Sequence, residues 1–208
     1  MDHPPRREAD PLTGRVLRDK GGFLSPVISV VTHDGRPAVL KDYRGKNALT
    51  RGLLAPSLVR REHRVLRHLE GIPGVPRVYA IVEKRALLLE YVEGRTLNKF
   101  KEGELPDAVF ERLCETVRAM HRRGVVHLDL RQRKNILVDG GRPYVIDFAN
   151  ALMGKMASKL AGVDESALLK WKQRNWPHLV TDEDREALKK HKFLRKFWIF
   201  TPRGKSVR

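Results

Sequence analysis

The sequence predicts an α+β protein with two lobes, on three observations. Between Gly14 and about Leu89 the segments are strand-like, with one helix among them. After Gly94 the pattern becomes mainly helical. A chain of 208 residues is long enough for two small lobes that share a cleft. We therefore expect a loose arm at 1–13, a first lobe at 14–89, a connection at 90–95, a reduced and mainly helical second lobe at 96–181, and a basic aromatic helix and tail at 182–208.

The first lobe is predicted to contain five strands and one helix. Residues 16–31 indicate a hairpin around a glycine-bearing turn, and a second turn at 33–35 leads into a strand at 36–43. Two further strands are expected at 75–84 and 86–94. The helix is predicted at 57–71, where Gly71 supplies the end and four apolar residues fall on one side: Val59, Val65, Leu66 and Leu69.

The second lobe is predicted to begin with an amphipathic helix at 105–124, which ends at Gly124. Two short strands follow at 135–139 and 143–148, joined by two glycines. The rest of the chain is helical in pattern and increasingly basic. Thr181, with Asp184 three residues later, predicts a helix cap.

The net charge of +17 is the strongest feature of the composition, and it indicates an anionic partner. The one cysteine excludes an internal disulfide framework and a cysteine-built zinc site. The eight histidines lack ligand spacing, so no zinc is predicted. Without an apolar run of membrane-spanning length or a hydrophobic signal core, the expected location is the cytoplasm, or a peripheral position on the cytosolic face of the inner membrane.

Two aspartates and an asparagine stand beside apolar, strand-like runs in the second lobe: Asp129, Asn135 and Asp147. Carboxylates rarely enter an apolar neighbourhood unless something pairs with them. A metal ion is one such partner.

The order of these and other polar residues resembles the protein-kinase-like superfamily, from about Leu17 to Asn150. By this resemblance Lys41, on a strand, would contact the α- and β-phosphates of ATP. Glu62, placed 21 residues later on a helix, would be its ionic partner. Leu89 would be the gatekeeper of a hinge, and backbone groups of Glu90 and Val92 would meet the adenine edge.

The same resemblance assigns roles in the second lobe. The segment at 127–139 is similar to the kinase catalytic loop, and that at 145–149 to the metal-binding segment. Asp129 would orient the acceptor hydroxyl and take its proton, while Asn135 and Asp147 would hold Mg²⁺. Arg131 would neutralise the γ-phosphate, and His127 would brace the loop.

Several departures separate the sequence from ordinary protein kinases. The glycine-rich loop is reduced to Gly21 and Gly22, which would approach the phosphates. The interval from Asp129 to Asn135 is six residues, one more than in the kinase pattern. Alanine replaces the glycine after Asp147-Phe148, and the segments that bind peptide substrates are largely absent. This trimmed form resembles RIO-type kinases and the bacterial lipopolysaccharide-core kinases that act on Kdo or heptose.

The resemblance implies an ATP-dependent phosphotransferase whose acceptor is a hydroxyl, on a sugar of a membrane glycolipid or on a protein serine or threonine. The alternative is a catalytically weak pseudokinase that serves as a nucleotide-gated binding module for RNA, protein or membrane. The longer catalytic loop and the poor glycine loop favour this alternative, and the complete set of polar residues favours the enzyme.

The C-terminal segment after Glu186 contains no acidic residue and mixes lysines and arginines with aromatic side chains. This composition suits an anionic membrane surface. It would also suit RNA or the ribosome, although no recognised RNA-binding module accompanies it. The remaining interpretation is a helix that packs its aromatic side chains on the second lobe.

Overall fold

The computed structural model describes residues 14–18, 25–132 and 134–195, with residues 189–195 described by their backbone alone. The first lobe is built on a five-stranded antiparallel sheet in the order β1-β2-β3-β5-β4. Its strands are β1 (Arg15–Arg18), β2 (Val27–His33), β3 (Arg36–Asp42), β4 (Val78–Val82) and β5 (Ala86–Glu90).

A tight turn between β2 and β3 sets the register of the sheet. Asp34 and Gly35 have φ values of 48° and 73°, and a two-residue hairpin turn of type I′ requires positive φ at both positions. The register that follows places Lys41 of β3 opposite Ile28 on β2 and opposite Leu87 on β5. The lysine is therefore on a central strand of the sheet.

The two faces of the sheet have different environments. One face carries a small apolar cluster: Val31, Ala38, Leu40, Ala86 and Leu88. The opposite face, which includes Leu87 and Leu89, joins the main core together with the helix α1 (Ala55–His68). Because side chains alternate along a strand, Lys41 projects from the same face as Leu87, toward α1.

Helix α1 begins two residues earlier than the sequence predicts and follows a π-helical turn at Thr50–Leu54. Pro56 lies in its first turn, where the missing N–H has no intrahelical partner to lose. The helix ends before Gly71, whose φ of 85° suits a glycine. Glu62 is buried on the same side as the apolar residues, which directs its carboxylate into the protein.

The second lobe combines short strands with three α-helices. In chain order its elements are β6 (Arg95–Thr96), α2 (Asp107–Arg122), β7 (Val125–Val126), β8 (Ile136–Asp139), β9 (Arg142–Val145), β10 (Leu152–Met153), α3 (Ala161–Asn175) and α4 (Asp182–Arg195). Strands β6, β8 and β9 form one antiparallel sheet, and β7 pairs with β10. The predicted α+β fold with two lobes is confirmed.

One hydrophobic core runs through both lobes, from Leu66 on α1 to Trp171 and Trp176 at the end of α3. Both tryptophans are fully buried, and burial requires a partner for each indole N–H. Trp171 Nε1 donates to the Leu130 carbonyl at 2.9 Å, and Trp176 Nε1 donates to the Leu105 carbonyl at 3.0 Å. The end of α3 is thereby fixed to two loops of the lobe.

The start of α4 has the predicted cap. The N–H of Asp184 donates to Thr181 Oγ1 at 3.2 Å, and the N–H of Thr181 donates to Asp184 Oδ2 at 3.0 Å. The aromatic residues predicted to line the tail lie beyond the side chains that the structure describes. Within the described part of the chain, no helix combines the length and the apolar character needed to cross a bilayer.

Candidate active site

Lys41 lies between two carboxylates at the junction of the lobes. Its Nζ donates to Glu62 Oε1 at 2.6 Å and to Asp147 Oδ1 at 2.8 Å. The lysine is 5% exposed and Glu62 is 3% exposed. The fold therefore assembles a trio of Lys41 from β3, Glu62 from α1 and Asp147 from the segment after β9. Lys41 and Asp147 are 106 positions apart in the sequence.

The charges of this trio reinforce one another. Burial by itself lowers the pKa of Lys41, but the nearby carboxylates of Glu62 and Asp147 outweigh it and hold the pKa above its ordinary value. Burial by itself raises the pKa of Asp147, and the ammonium of Lys41 outweighs this, so that the net shift is downward. Lys41 is thus a cation and Asp147 an anion at neutral pH.

Asp147 adopts a left-handed backbone conformation, with φ of 67° and ψ of 70°. Positive φ is uncommon outside glycine, although aspartate tolerates it better than most residues. The residues on either side hold this conformation. The N–H of Ile146 donates to the Asn135 carbonyl at 2.9 Å. The buried ring of Phe148 packs edge-on against the His127 ring, with 4.9 Å between the ring centroids. This backbone turn directs the carboxylate toward Lys41.

The carboxylate of Asp129 is held by two amide side chains. Asn135 Nδ2 donates to the Asp129 carbonyl at 3.0 Å and to Asp129 Oδ2 at 3.1 Å. Asn150 Nδ2 lies 3.4 Å from the same Oδ2. Burial raises the pKa of Asp129, an effect that His127 and the two amides only partly offset. A carboxyl group with a raised pKa is better suited to accept a proton near neutral pH.

His127 is fully buried beneath this loop. Its Nε2 lies 3.1 Å from the Ile146 carbonyl, and its Nδ1 accepts the N–H of Asp129 at 3.3 Å. The neutral ring with its proton on Nε2 satisfies both contacts. Burial lowers the pKa of His127, although Asp164 acts in the opposite direction.

Comparison with known protein families assigns most of the chain to one family. Residues 36–170, more than half of the chain, match the RIO domain. This chain belongs to the RIO domain family. The predicted resemblance to RIO-type kinases is therefore confirmed, whereas the resemblance to lipopolysaccharide-core kinases stays a prediction.

The RIO domain chain is similar in sequence to several plant protein kinases. It is 28% identical to CBL-interacting serine/threonine-protein kinase 19 of Arabidopsis thaliana over 143 residues, which cover 65% of this chain and 29% of that protein. It is 32% identical to CBL-interacting serine/threonine-protein kinase 12 of the same plant over 140 residues, 64% of this chain and 28% of that protein. The chain spans less than a third of the length of these relatives.

Solved structures of Rio2 kinase from Chaetomium thermophilum resemble this RIO domain in fold. One superimposes with a TM-score of 0.60 at 19% identity, covering 84% of this chain and 62% of the other. A complex of the same kinase with ADP/Mg²⁺ and phosphoaspartate superimposes with a TM-score of 0.59 at 19% identity. The match covers 84% of this chain and 61% of that one. Similarity at this level of identity shows that the fold is shared.

Asp164 is a residue of the RIO domain that the sequence did not single out. Its carboxylate, wholly buried on α3, accepts the backbone N–H of His127 at 2.7 Å and that of Leu128 at 2.9 Å. His121 Nε2 lies 3.1 Å from the same carboxylate. Leu128 has a φ of 66°, so the carboxylate stabilises a strained backbone directly before Asp129. An aspartate near the start of a helix, followed by Glu165, gives no local signal of such a role.

Arg131 contacts helix α3. Its guanidinium donates to Ser166 Oγ at 2.9 Å. Its role at the γ-phosphate stays a prediction.

The hinge begins where β5 ends. Leu89 is buried, and the N–H of Glu90 donates to the Arg77 carbonyl at 2.9 Å. The Val92 carbonyl accepts the N–H of Gly94 at 3.0 Å. The contact of adenine with backbone groups of Glu90 and Val92 stays a prediction. The two glycines predicted to approach the phosphates, Gly21 and Gly22, lie outside the residues that the structure describes.

Proposed function

We propose that this RIO domain protein is an ATP-dependent phosphotransferase that moves the γ-phosphate of ATP to a hydroxyl acceptor. The observation that carries the proposal is the trio in which buried Lys41 bridges buried Glu62 and partly buried Asp147. A cation held in place by two carboxylates offers a fixed charge for the phosphates of a nucleotide. Phosphoryl transfer depends mainly on such positioning and charge neutralisation.

The donor groups of the site fit Mg²⁺. Asp147 supplies a carboxylate that stays ionised, and Asn135 supplies an amide oxygen, since the hydrogen bonds described for Asn135 use only its Nδ2 and backbone. No cluster of three or more acidic, histidine or cysteine ligands occurs among the described residues. Mg²⁺ in nucleotide sites commonly takes one or two protein ligands together with phosphates and water. Bound there, the ion would neutralise phosphate charge.

Asp129 is proposed to orient the acceptor hydroxyl and accept its proton. The two amides on its carboxylate fix the side chain without neutralising it, and burial moves its pKa toward the working range of a base. The longer interval before Asn135 does not separate the two side chains. This contact favours the enzyme over the pseudokinase, which remains the alternative.

The acceptor is proposed to be a hydroxyl of a protein or of a membrane glycolipid such as the lipopolysaccharide core. The similarity to plant serine/threonine-protein kinases supports a protein acceptor. The Rio2 complex with ADP/Mg²⁺ and phosphoaspartate supports the use of ATP with Mg²⁺, and it makes a phosphorylated aspartate of the chain itself worth testing. Labelled ATP with protein, ribosomal and lipopolysaccharide fractions would separate these acceptors.

The decisive experiment compares Mg-ATP turnover by the parent, Asp129→Asn and Asp139→Asn. Asp139 ends β8 and makes no described contact with the trio, so its variant controls for the loss of a carboxylate. We expect turnover to fall at least ~100-fold in Asp129→Asn and to be retained in Asp139→Asn. Nucleotide binding by the parent without any turnover would instead establish the binding module.

We also propose that the basic C-terminal segment binds an anionic membrane surface. Lys172 Nζ contacts Asp184 Oδ2, twelve residues later in the chain, at 2.5 Å, and this contact fixes the start of α4 against α3. The lysines and arginines after Glu186 follow this contact in the sequence. RNA or the ribosome is the other partner that this composition would suit.

A further inference from the structure

Arg18, the last residue of β1, lies on the same face of the sheet as Lys41. The register pairs Arg18 with Ile28 of β2, and Ile28 with Lys41 of β3. Residues paired across antiparallel strands project to the same face. Two strand spacings, or about 10 Å, separate the Cα atoms of Arg18 and Lys41. A bulge between Val16 and Arg18 turns this end of the strand.

Arg18 is partly buried, and its Nε has no hydrogen-bond acceptor among the described residues. This nitrogen is also excluded from solvent. None of the ion pairs among the described residues includes Arg18. A buried donor without a partner is unfavourable, so this position is suited to a ligand that supplies anionic oxygens.

The charge of Arg18 acts on the same groups as that of Lys41. Burial raises the pKa of Asp147, whereas Lys41, His127 and then Arg18 lower it, with a net downward shift. Burial also raises the pKa of Tyr43 to about 12, and Arg18 is among the groups that oppose this rise. These effects agree with the sheet register, which places Arg18 on the face of Lys41.

We propose that Arg18 binds the phosphate chain of ATP, as a second side-chain cation beside Lys41. Gly21 and Gly22 are the glycines that the sequence keeps in place of the glycine-rich loop, and a guanidinium suits phosphates because its planar fork donates to two phosphate oxygens at once. The inference deepens the proposed function in that it takes ATP as the ligand. It does not require that the phosphate be transferred.

The test measures the affinity of the parent, Arg18→Gln, Arg18→Lys and Arg36→Gln for a non-hydrolysable ATP analogue, ADP and adenosine by titration calorimetry. We expect Arg18→Gln to bind the ATP analogue at least about tenfold more weakly and adenosine equally well. Arg18→Lys keeps the positive charge but lacks the planar guanidinium, so its affinity for the ATP analogue should lie between those of the parent and of Arg18→Gln. Arg36 is exposed at the β2–β3 turn. Arg36→Gln removes the same charge from the same sheet, and it should leave the affinities for all three ligands unchanged.

Adenosine affinity and the melting temperature report whether each variant is folded, and turnover is measured in parallel. If Arg18→Gln binds the ATP analogue as tightly as the parent, or loses adenosine equally, the inference is overturned while the phosphotransferase stands. If the parent binds ATP without turnover, the phosphotransferase is overturned and the Arg18 assignment is still decided by the affinities. A parent that binds no nucleotide overturns both.

Discussion

Asn135 donates both hydrogens of its side-chain amide to Asp129, one to the backbone carbonyl at 3.0 Å and one to Oδ2 at 3.1 Å. The six-residue interval between them is closed by two turns: Gln132 N–H donates to the Asp129 carbonyl, and Asn135 N–H donates to the Gln132 carbonyl. The extra residue is therefore accommodated in the loop, and the amide oxygen of Asn135 is left for another ligand.

The two amides that hold Asp129 should respond differently to Mg²⁺. Asn135→Ala removes a proposed metal ligand, whereas Asn150→Ala removes only a contact to the carboxylate. We expect Asn135→Ala to raise the Mg²⁺ concentration for half-maximal turnover by roughly tenfold or more, and Asn150→Ala to leave it near that of the parent. Magnesium titrations at saturating ATP measure this. Equal shifts in both variants would mean that Asn135 only positions Asp129.

Replacing Lys41 by methionine should affect folding as well as nucleotide binding. The substitution leaves Glu62 and Asp147 facing each other in a buried site without their shared cation. Breaking a buried ion pair on one side typically costs about 3–5 kcal/mol of unfolding free energy. Urea denaturation measures the loss, with exposed Lys159→Met as the control. An unchanged midpoint for Lys41→Met would show that the trio does not stabilise the fold.

Asp164→Asn should loosen the loop before Asp129. The two carboxylate oxygens of Asp164 accept two backbone N–H groups, but an asparagine side chain has one oxygen and an NH₂ group in place of the other. The amide of His127 or of Leu128 therefore loses its hydrogen-bond acceptor. We expect faster hydrogen exchange at these amides and a loss of unfolding free energy of about 2–4 kcal/mol. The neighbouring Glu165→Gln, which is exposed, should change neither quantity. Unchanged exchange in Asp164→Asn would exclude this role.

The stability of the protein should fall as the pH drops below about 6.5, the ordinary pKa of histidine. The pKa of His127 is lower in the folded protein, chiefly because of burial, so the unfolded chain binds a proton first as the pH falls. The contribution of His127 to the unfolding free energy is fully present above the pKa of the histidine in the unfolded chain. It is lost as the pH falls from that value toward the lower pKa in the folded protein. For one proton, the unfolding free energy then changes by at most about 1.4 kcal/mol per pH unit.

The contribution of His127 is isolated by comparing pH profiles of unfolding free energy for the parent and His127→Gln. The glutamine variant should be less stable at neutral pH but should lose less stability between pH values of about 7 and 5. His178→Gln, the same substitution at an exposed position, is measured beside it. Parallel profiles for the parent and His127→Gln would contradict the prediction.

Membrane binding by the C-terminal segment is tested with a chain that ends at Arg195. This variant keeps α4 and the contact between Lys172 and Asp184, and it removes Trp198 and the basic residues that follow. We expect the full chain to pellet with anionic vesicles, less so as salt increases, and the shorter chain to pellet less. Equal binding of the full chain to neutral vesicles, without salt dependence, would exclude an electrostatic anchor.

Local sequence pattern predicts the long elements of this fold well. The helix that contains Glu62, helix α2 and the cap formed by Thr181 and Asp184 all follow from side-chain spacing within a few turns. The strands β6, β7 and β10 were not predicted, because two residues are too few to show a period. They form by pairing with strands that are distant in the chain, β6 with β8 and β7 with β10.

The sequence by itself determined the periodic helices and strands, the basic charge and the order of the polar residues that resembles a kinase. Only the tertiary structure decided which of these residues meet: Lys41 with Asp147, Asp164 with the loop before Asp129, and Arg18 on the face of Lys41. The physical reason is the range of the interactions. Periodicity acts over neighbouring residues, whereas buried charges are partnered across many positions by sheet register and core packing.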